Sequence, residues 1–254
     1  MQWADLKADE ISGLPKDETI VVVPVASLEH HGPHLPTGVD IVLTSEIARR
    51  TAVLTDPHRP VLVTPAVWSG LAEMHMSLGG TITLDLDTLH AVLRSICRSI
   101  VRQGFGKVLL LNGHGGNIAA LGAITNEIGS TLDIAIATTS YWEHAAERFA
   151  AILEDQDTIG HACEGETSMM LALAEGLVDR DKFGQAIGPD NPTVADIAGP
   201  AVLRWRSFAA RSTVTGTLGN PTRASAGKGE RLLDAAAESL SAFLRNDAFW
   251  NMSY

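Results

Sequence analysis

The chain has 254 residues with a formal net charge of −11, 45% hydrophobic and 19% charged residues, and 2 cysteines. The acidic balance and the lack of any basic block exclude nucleic acid as the natural partner, because such binding rests on Lys and Arg neutralising phosphates. Two cysteines cannot build a disulfide framework, residues 1–7 carry no charged leader, and no apolar run nears the roughly 20 residues of a membrane-spanning helix.

A globular chain of this size buries a core without staples. The expectation is one domain over residues 1–254 in a reducing, cytoplasmic setting, with no membrane partner. The first strand is expected over residues 19–26, an apolar β-branched run of the kind buried on both faces. Directly behind it, residues 27–40 hold two carboxylates and three imidazoles. If the strand runs on to His31, Glu29 and His31 share one side with His30 opposite, and Asp40 folds back across the Gly/Pro-rich turn. Glu, His and Asp are ordinary ligands of zinc, manganese or ferrous iron, and a carboxylate can bridge two ions. The competing reading is a solvated loop after a strand.

A helix is expected over residues 41–55 and a second strand over 60–67. Residues 73–81 read as a loop whose Gly79 and Gly80 permit positive φ and turn His75 into a cleft. A helix over 87–103, capped by Asp87 or Thr88 and stopped at Gly104, leads to the apolar strand 107–112. That strand ends at Gly113-His114-Gly115-Gly116, whose glycines keep the backbone around His114 clear before a helix over 118–129. A strand over 134–140 runs into Tyr141 and Trp142, which either roof a pocket or simply pack.

This alternation implies an α/β fold, three layers α/β/α around a mostly parallel sheet, with ligands bound outside the carboxyl ends of the strands. Both His clusters fall there. A third cluster, residues 160–168, contains His161, Glu164 and Glu166 and enters an apolar helical stretch at 169–174. Its acids are either helix-start groups or, joined to Glu29, His31, Asp40 and His114, the last carboxylate of a two-ion site. Cys163 is read as a packing residue among acids that oppose its thiolate. Residues 176–211 read as irregular and 224–245 as a final helix, after which Phe249 and Trp250 dock on the domain or on a neighbouring subunit.

Residues 29–40, 112–117 and 161–168, in that order and spacing, resemble the motifs of the creatininase family of metal-dependent amidohydrolases. The likeness extends through 75–81, with Gly79 in place of a family proline, and through 216–231, so it spans nearly the whole chain. It implies two divalent metal ions (Zn, Mn or Fe), with Glu29, Asp40 and His114 on one, His31 and Asp40 on the other, and Asp40 bridging. It also implies a homohexamer, a histidine beside the substrate at His161, and substrate contacts from His75, Trp142 and Gly115. Creatininase proper follows its motif histidine with Tyr-Glu, the Glu being a ligand; Gly115 and Gly116 stand here instead. Another carboxylate must serve, assigned to Glu166 with Glu164 as the alternative.

That departure weighs against creatinine as substrate. The Gly-Gly form is shared with formamide deformylases and the mycofactocin-precursor peptidase of the family, whereas Ser140-Tyr-Trp142 resembles creatininase proper. The expected activity is hydrolysis of a C–N bond in a small-molecule amide, lactam or formamide by a hydroxide held between two ions. His161 would carry a proton to the leaving nitrogen with Glu164 as its partner. Creatinine amidohydrolase proper and a mycofactocin-precursor-type peptidase are the nearer alternatives. A non-catalytic sugar- or nucleotide-binding α/β domain is the alternative from another class.

Overall fold

A computed structural model describes residues 1–189 and 215–252. Four parallel strands, β1 (Ile20–Val25), β2 (Val61–Val63), β3 (Lys107–Asn112) and β4 (Ala135–Ser140), form a sheet of order β2-β1-β3-β4. Val22 pairs with Val63 on one side and Leu109 on the other, and Leu110 pairs with Thr138.

Alternate side chains along each strand face opposite layers. Ile20, Val22, Leu109 and Leu111 pack with α1 (Val39–Thr55), α4 (Glu164–Ala174) and α5 (Ala226–Leu244). Val21, Val23, Val108 and Leu110 pack with α2 (Leu86–Arg102) and α3 (Ile118–Leu132). Burying both faces explains why β1 and β3 are nearly continuous in apolar residues. Each fully buried Val or Leu contributes about 1.5–3 kcal/mol of transfer free energy. The three-layer α/β/α architecture is the one expected.

The boundaries differ in instructive places. β1 stops at Val25, so Glu29 and His31 lie in a loop rather than on a strand. β2 is only Val61–Val63, although Val67 still bridges to Val25. The cap of α2 is Asp85, which accepts from Thr88 N at 2.7 Å, and not Asp87 or Thr88. Gly104, at φ 92°, follows that helix as expected. α3 runs to Leu132 and ends on Asp133 in the left-handed region, a conformation a short acid tolerates. Of the stretch read as irregular, Glu175–Leu177 and Arg180–Gln185 are 3-10 turns, and residues 190–211 lie outside those described. Trp250 is buried against Phe243 and Phe249 of the same chain. No helix among the described residues is long and apolar enough to cross a membrane.

Strand order decides where a site can form. The chain leaves β1 toward β2 on one side and leaves β3 toward β4 on the other, so the connections that follow these two neighbouring strands diverge. A crevice opens between them at their carboxyl ends.

Candidate active site

Four elements meet in that crevice. The loop after β1 brings Glu29 and His31, the first turn of α1 brings Asp40, the turn after β3 brings His114, and the first turn of α4 brings Glu166. All are buried. Asp40 and Glu166 sit at helix N-termini, where the partial positive charge of the backbone amides favours carboxylates. Close approach depends on two glycines: a Cβ on Gly113 would lie 1.6 Å from Thr44 Oγ1, and one on Gly116 would lie 2.4 Å from His114 Nε2.

Each imidazole is oriented by the backbone. His114 Nε2 lies 3.1 Å from Leu71 O, His31 Nδ1 3.1 Å from Glu29 O, and His161 Nε2 2.7 Å from His30 O. A carbonyl only accepts, so those nitrogens donate and the opposite nitrogen of each ring faces the acids. His114 Nδ1 is 3.0 Å from Glu29 Oε2 and 3.3 Å from Asp40 Oδ2. His31 Nε2 is 3.1 Å from Asp40 Oδ1 and 3.9 Å from Glu166 Oε1. Two groups with converging donor atoms result, Glu29–Asp40–His114 and His31–Asp40–Glu166, with Asp40 in both; Glu29, His31 and His161 form a third. Glu29 Oε2, His31 Nε2 and Asp40 Oδ2 make no well-directed hydrogen bond in the protein.

Buried orphan atoms cost about 1–3 kcal/mol each unless something satisfies them. Three carboxylates with only imidazoles as ion-pair partners among the described residues form a strongly negative centre. Burial opposes charge on His31, but Asp40, Glu166 and Glu29 outweigh it and lift its pKa to about 10. Burial also opposes ionisation of Asp40, yet His31 and His114 hold it down at about 2. Glu166 is pushed up to about 7 by burial, with Asp40 and Glu29 adding to the effect. The field that draws protons to His31 and His114 would equally draw divalent cations, which bind such ligands by displacing protons. Oxygen and imidazole donors with their second ring nitrogen tied to a carbonyl fit zinc, manganese or iron.

A cavity of about 360 Å³ opens onto this cluster. Among the described residues its wall includes His75, Gly115, Trp142 and His161, and no Lys or Arg. His75 lies on the 3-10 turn Glu73–Leu78, with Nε2 3.5 Å from Glu29 Oε1 and a pKa lowered by burial to about 4. The His161 ring stacks 4.3 Å from that of His31 and 4.6 Å from that of His75. Burial, then the neighbouring His31 and His75, drive its pKa well below the usual value. A side chain at Gly115 would enter open space, so glycine there enlarges the cavity.

Glu164 is not brought to the cluster. Its Oε1 pairs with Lys228 Nζ at 2.5 Å and its Oε2 accepts from Glu154 N and Asp155 N. Two positions along a helix turn the side chain by about 200°, so Glu164 and Glu166 face opposite ways. Glu166 turns inward, with Oε2 accepting from Ala162 N at 2.6 Å. Cys163 is buried, and its thiol is pushed up to about 12, first by burial. Sequence reasoning missed the apolar wall, Met74, Ile118, Ile159 and Leu218. Met74 and Ile159 are close neighbours of His75 and His161 in the chain, the one signal available.

The family profile described as creatinine amidohydrolase matches residues 4–244. The chain belongs to the creatininase family. Creatinine amidohydrolase of Pseudomonas putida is 26% identical over 97% of this chain and 95% of its own length. The mycofactocin precursor peptide peptidase of Mycobacterium tuberculosis (strain CDC 1551 / Oshkosh) is 30% identical over 89% of this chain and 85% of its own. A solved structure from Bacteroides fragilis NCTC 9343 superimposes with a TM-score of 0.84 at 26% identity, covering 100% of this chain and 97% of the other. Creatininase has been solved in a manganese form and a mutant creatininase in a zinc–zinc form, each with a TM-score of 0.76 at 25% identity. Creatininase-family membership and the buried His/Glu/Asp clusters together mark this protein as a hydrolase of that family with a metal-capable centre.

Proposed function

We propose that this creatininase-family protein hydrolyses the C–N bond of a small neutral amide, lactam or formamide with two divalent ions, zinc, manganese or iron, at the crevice. The observation that carries the reading is the convergence of Glu29, Asp40 and Glu166 with the inward nitrogens of His31 and His114 on a buried point without Lys or Arg among the described residues. Glu29, Asp40 and His114 would hold one ion and His31, Asp40 and Glu166 the other. Such ions supply acidity to a water near neutral pH and positive charge to polarise a carbonyl.

The chain's own residues do the rest. His161, its Nε2–H engaged by His30 O, keeps Nδ1 unprotonated because burial disfavours the imidazolium. That nitrogen accepts the proton of the attacking water and returns it to the departing amine nitrogen. Trp142, Ile159 and Leu218 form an apolar wall that excludes bulk water, while the bare Gly115 admits a substrate broader than a loop with large side chains would. A wall whose described residues include no cationic side chain disfavours a carboxylate or phosphate on the substrate.

A second reading, cleavage of a short peptide, is favoured by the open Gly115 face together with the 30% identical peptide peptidase. One experiment tests both: reconstitute the protein with zinc, manganese or ferrous ion, measure bound metal, and screen creatinine, formamides, lactams and short peptides for released amine or acid. About two ions per chain and turnover of one class are expected. Only trace metal after reconstitution would end the reading.

A further inference from the structure

The reaction proposed above does not use the buried carboxylate of Glu164, whose residue is fully buried. Its partner Lys228 lies at the start of α5 with a side chain only 11% exposed. An ammonium has three N–H donors. All three have acceptors: Glu164 Oε1 at 2.5 Å, Glu154 Oε1 at 2.5 Å and Arg223 O at 2.8 Å.

These acceptors lie on the three segments that frame His161. Glu164 begins α4, the helix that carries Glu166. Glu154 begins the strap 154–160, which delivers Ile159 and Gly160 to the cavity wall and leads into His161. The strap is held at its base twice over, because Glu164 Oε2 accepts from Glu154 N at 3.0 Å and Asp155 N at 2.8 Å. Arg223 ends the segment whose Leu218 pairs antiparallel with His161, and Asn220 Nδ2 of that segment donates to Asp155 Oδ1 at 3.0 Å.

We propose that Lys228 and Glu164 are positioning residues: the pair clamps the strap and the Leu218 segment together, and thereby fixes the His161 ring in the cavity. Neither side chain touches the ligand cluster. The charge matters because the Glu164 carboxylate must be buried to reach both strap amides, and removing the cation beside a buried carboxylate leaves a costly uncompensated charge. The role assigned to His161 is taken from the reading above, but its placement is measurable without any substrate.

The test compares Lys228→Met, the double variant Glu164→Gln/Lys228→Met and wild type, all zinc-loaded. Amide exchange at Glu154 and Asp155, exchange of the His161 Nε2 proton, bound zinc and, with an amide substrate in hand, kcat and KM are measured. Lys228→Met is expected to quicken exchange at the strap amides and at the His161 ring proton roughly tenfold, with amides of α2 unaltered and zinc retained. kcat should fall about tenfold with KM little changed. In the double variant the side-chain amide that replaces the Glu164 carboxylate still offers a carbonyl oxygen to the strap amides with no charge left buried, so all readouts should return toward wild type. Should Lys228→Met not fold, Glu154→Gln at a half-exposed position replaces it, with faster exchange at Asp155 expected. Unaltered strap and His161 exchange, a uniform rise across the chain, faster strap exchange with an unmoved His161 proton, or no recovery in the double variant each overturns the proposal. Failure to find an amide substrate breaks the earlier reading and leaves this test intact.

Discussion

Two buried acidic centres lie within one helical turn of each other, and they are neutralised in opposite ways. Around Glu164 the chain supplies its own cation, Lys228, and the remaining carboxylate oxygen is filled by two backbone amides. Around Glu29, Asp40 and Glu166 the described residues supply imidazoles and the Ala162 backbone amide but no Lys or Arg, with Glu29 Oε2, His31 Nε2 and Asp40 Oδ2 left without well-directed hydrogen bonds. A buried charge without compensation is costly in either place. The difference therefore separates a centre finished by folding from one that keeps the capacity to take up cations, and a tight buried carboxylate is not by itself a sign of chemistry.

The largest loss is expected at Asp40, whose two oxygens face His31 and His114. Asp40→Ala should abolish binding of both ions and lower turnover by about a thousandfold or more. His30→Ala should lower it less than about tenfold, because the His30 ring turns away to Thr215 O. Metal analysis and kcat/KM on both folded variants check this, and equal losses would contradict the idea that only one side of the loop faces the ions.

Glu166 gives an effect of intermediate size that changes sign with metal. Its folded pKa of about 7 is raised above the ordinary carboxyl value, first by burial. The stability it contributes in the metal-free protein is therefore fully present below about pH 4.5 and lost as pH rises through about 7. Metal-free Glu166→Gln should melt above metal-free wild type at pH 8, and the gap should close by pH 5. With zinc the order should reverse, one ion binding roughly ten- to a hundredfold more weakly. Thermal melts with and without chelator, alongside a zinc titration, show whether both signs occur.

The smallest effect belongs to an acid compensated at the surface. Glu46 is shared by Arg49 and Arg50, and the Arg49 side chain is half exposed. Arg49→Ala should change stability by less than about 1 kcal/mol in urea, with or without metal. A larger loss would mean that exposure is the wrong criterion for ranking these three acids.

The layers, the burial of the strands on both faces and most helices were legible because apolar runs and periodicity encode them directly. The meeting of Glu29 with His31 was also expected, though for a different reason: the strand ends at Val25, and the loop is shaped instead by pairing of Leu28 with Ile82 and by Glu29 N donating to Thr37 O. What the sequence left open was the choice between Glu164 and Glu166. Both are acids at a helix start, and which one faces inward depends on Lys228 and the strap amides, contacts distant in the chain that local pattern does not carry. The cap of α2 was misplaced for a related reason, since Asp85 and Asp87 are chemically equivalent candidates and only the path of the preceding chain selects one.

The divergence of the connections at β1 and β3 has a consequence for kinetics. Glu29, His31 and Asp40 are near one another in the chain, but His114 and Glu166 come from distant stretches, and closing such loops costs entropy before any contact with them is gained. The centre is therefore expected to assemble late, after the sheet has docked its helices. On that expectation, a cation bound there would slow unfolding more than it speeds folding, lengthening the life of the native state. It would act as a latch on a door already closed by the hydrophobic layers.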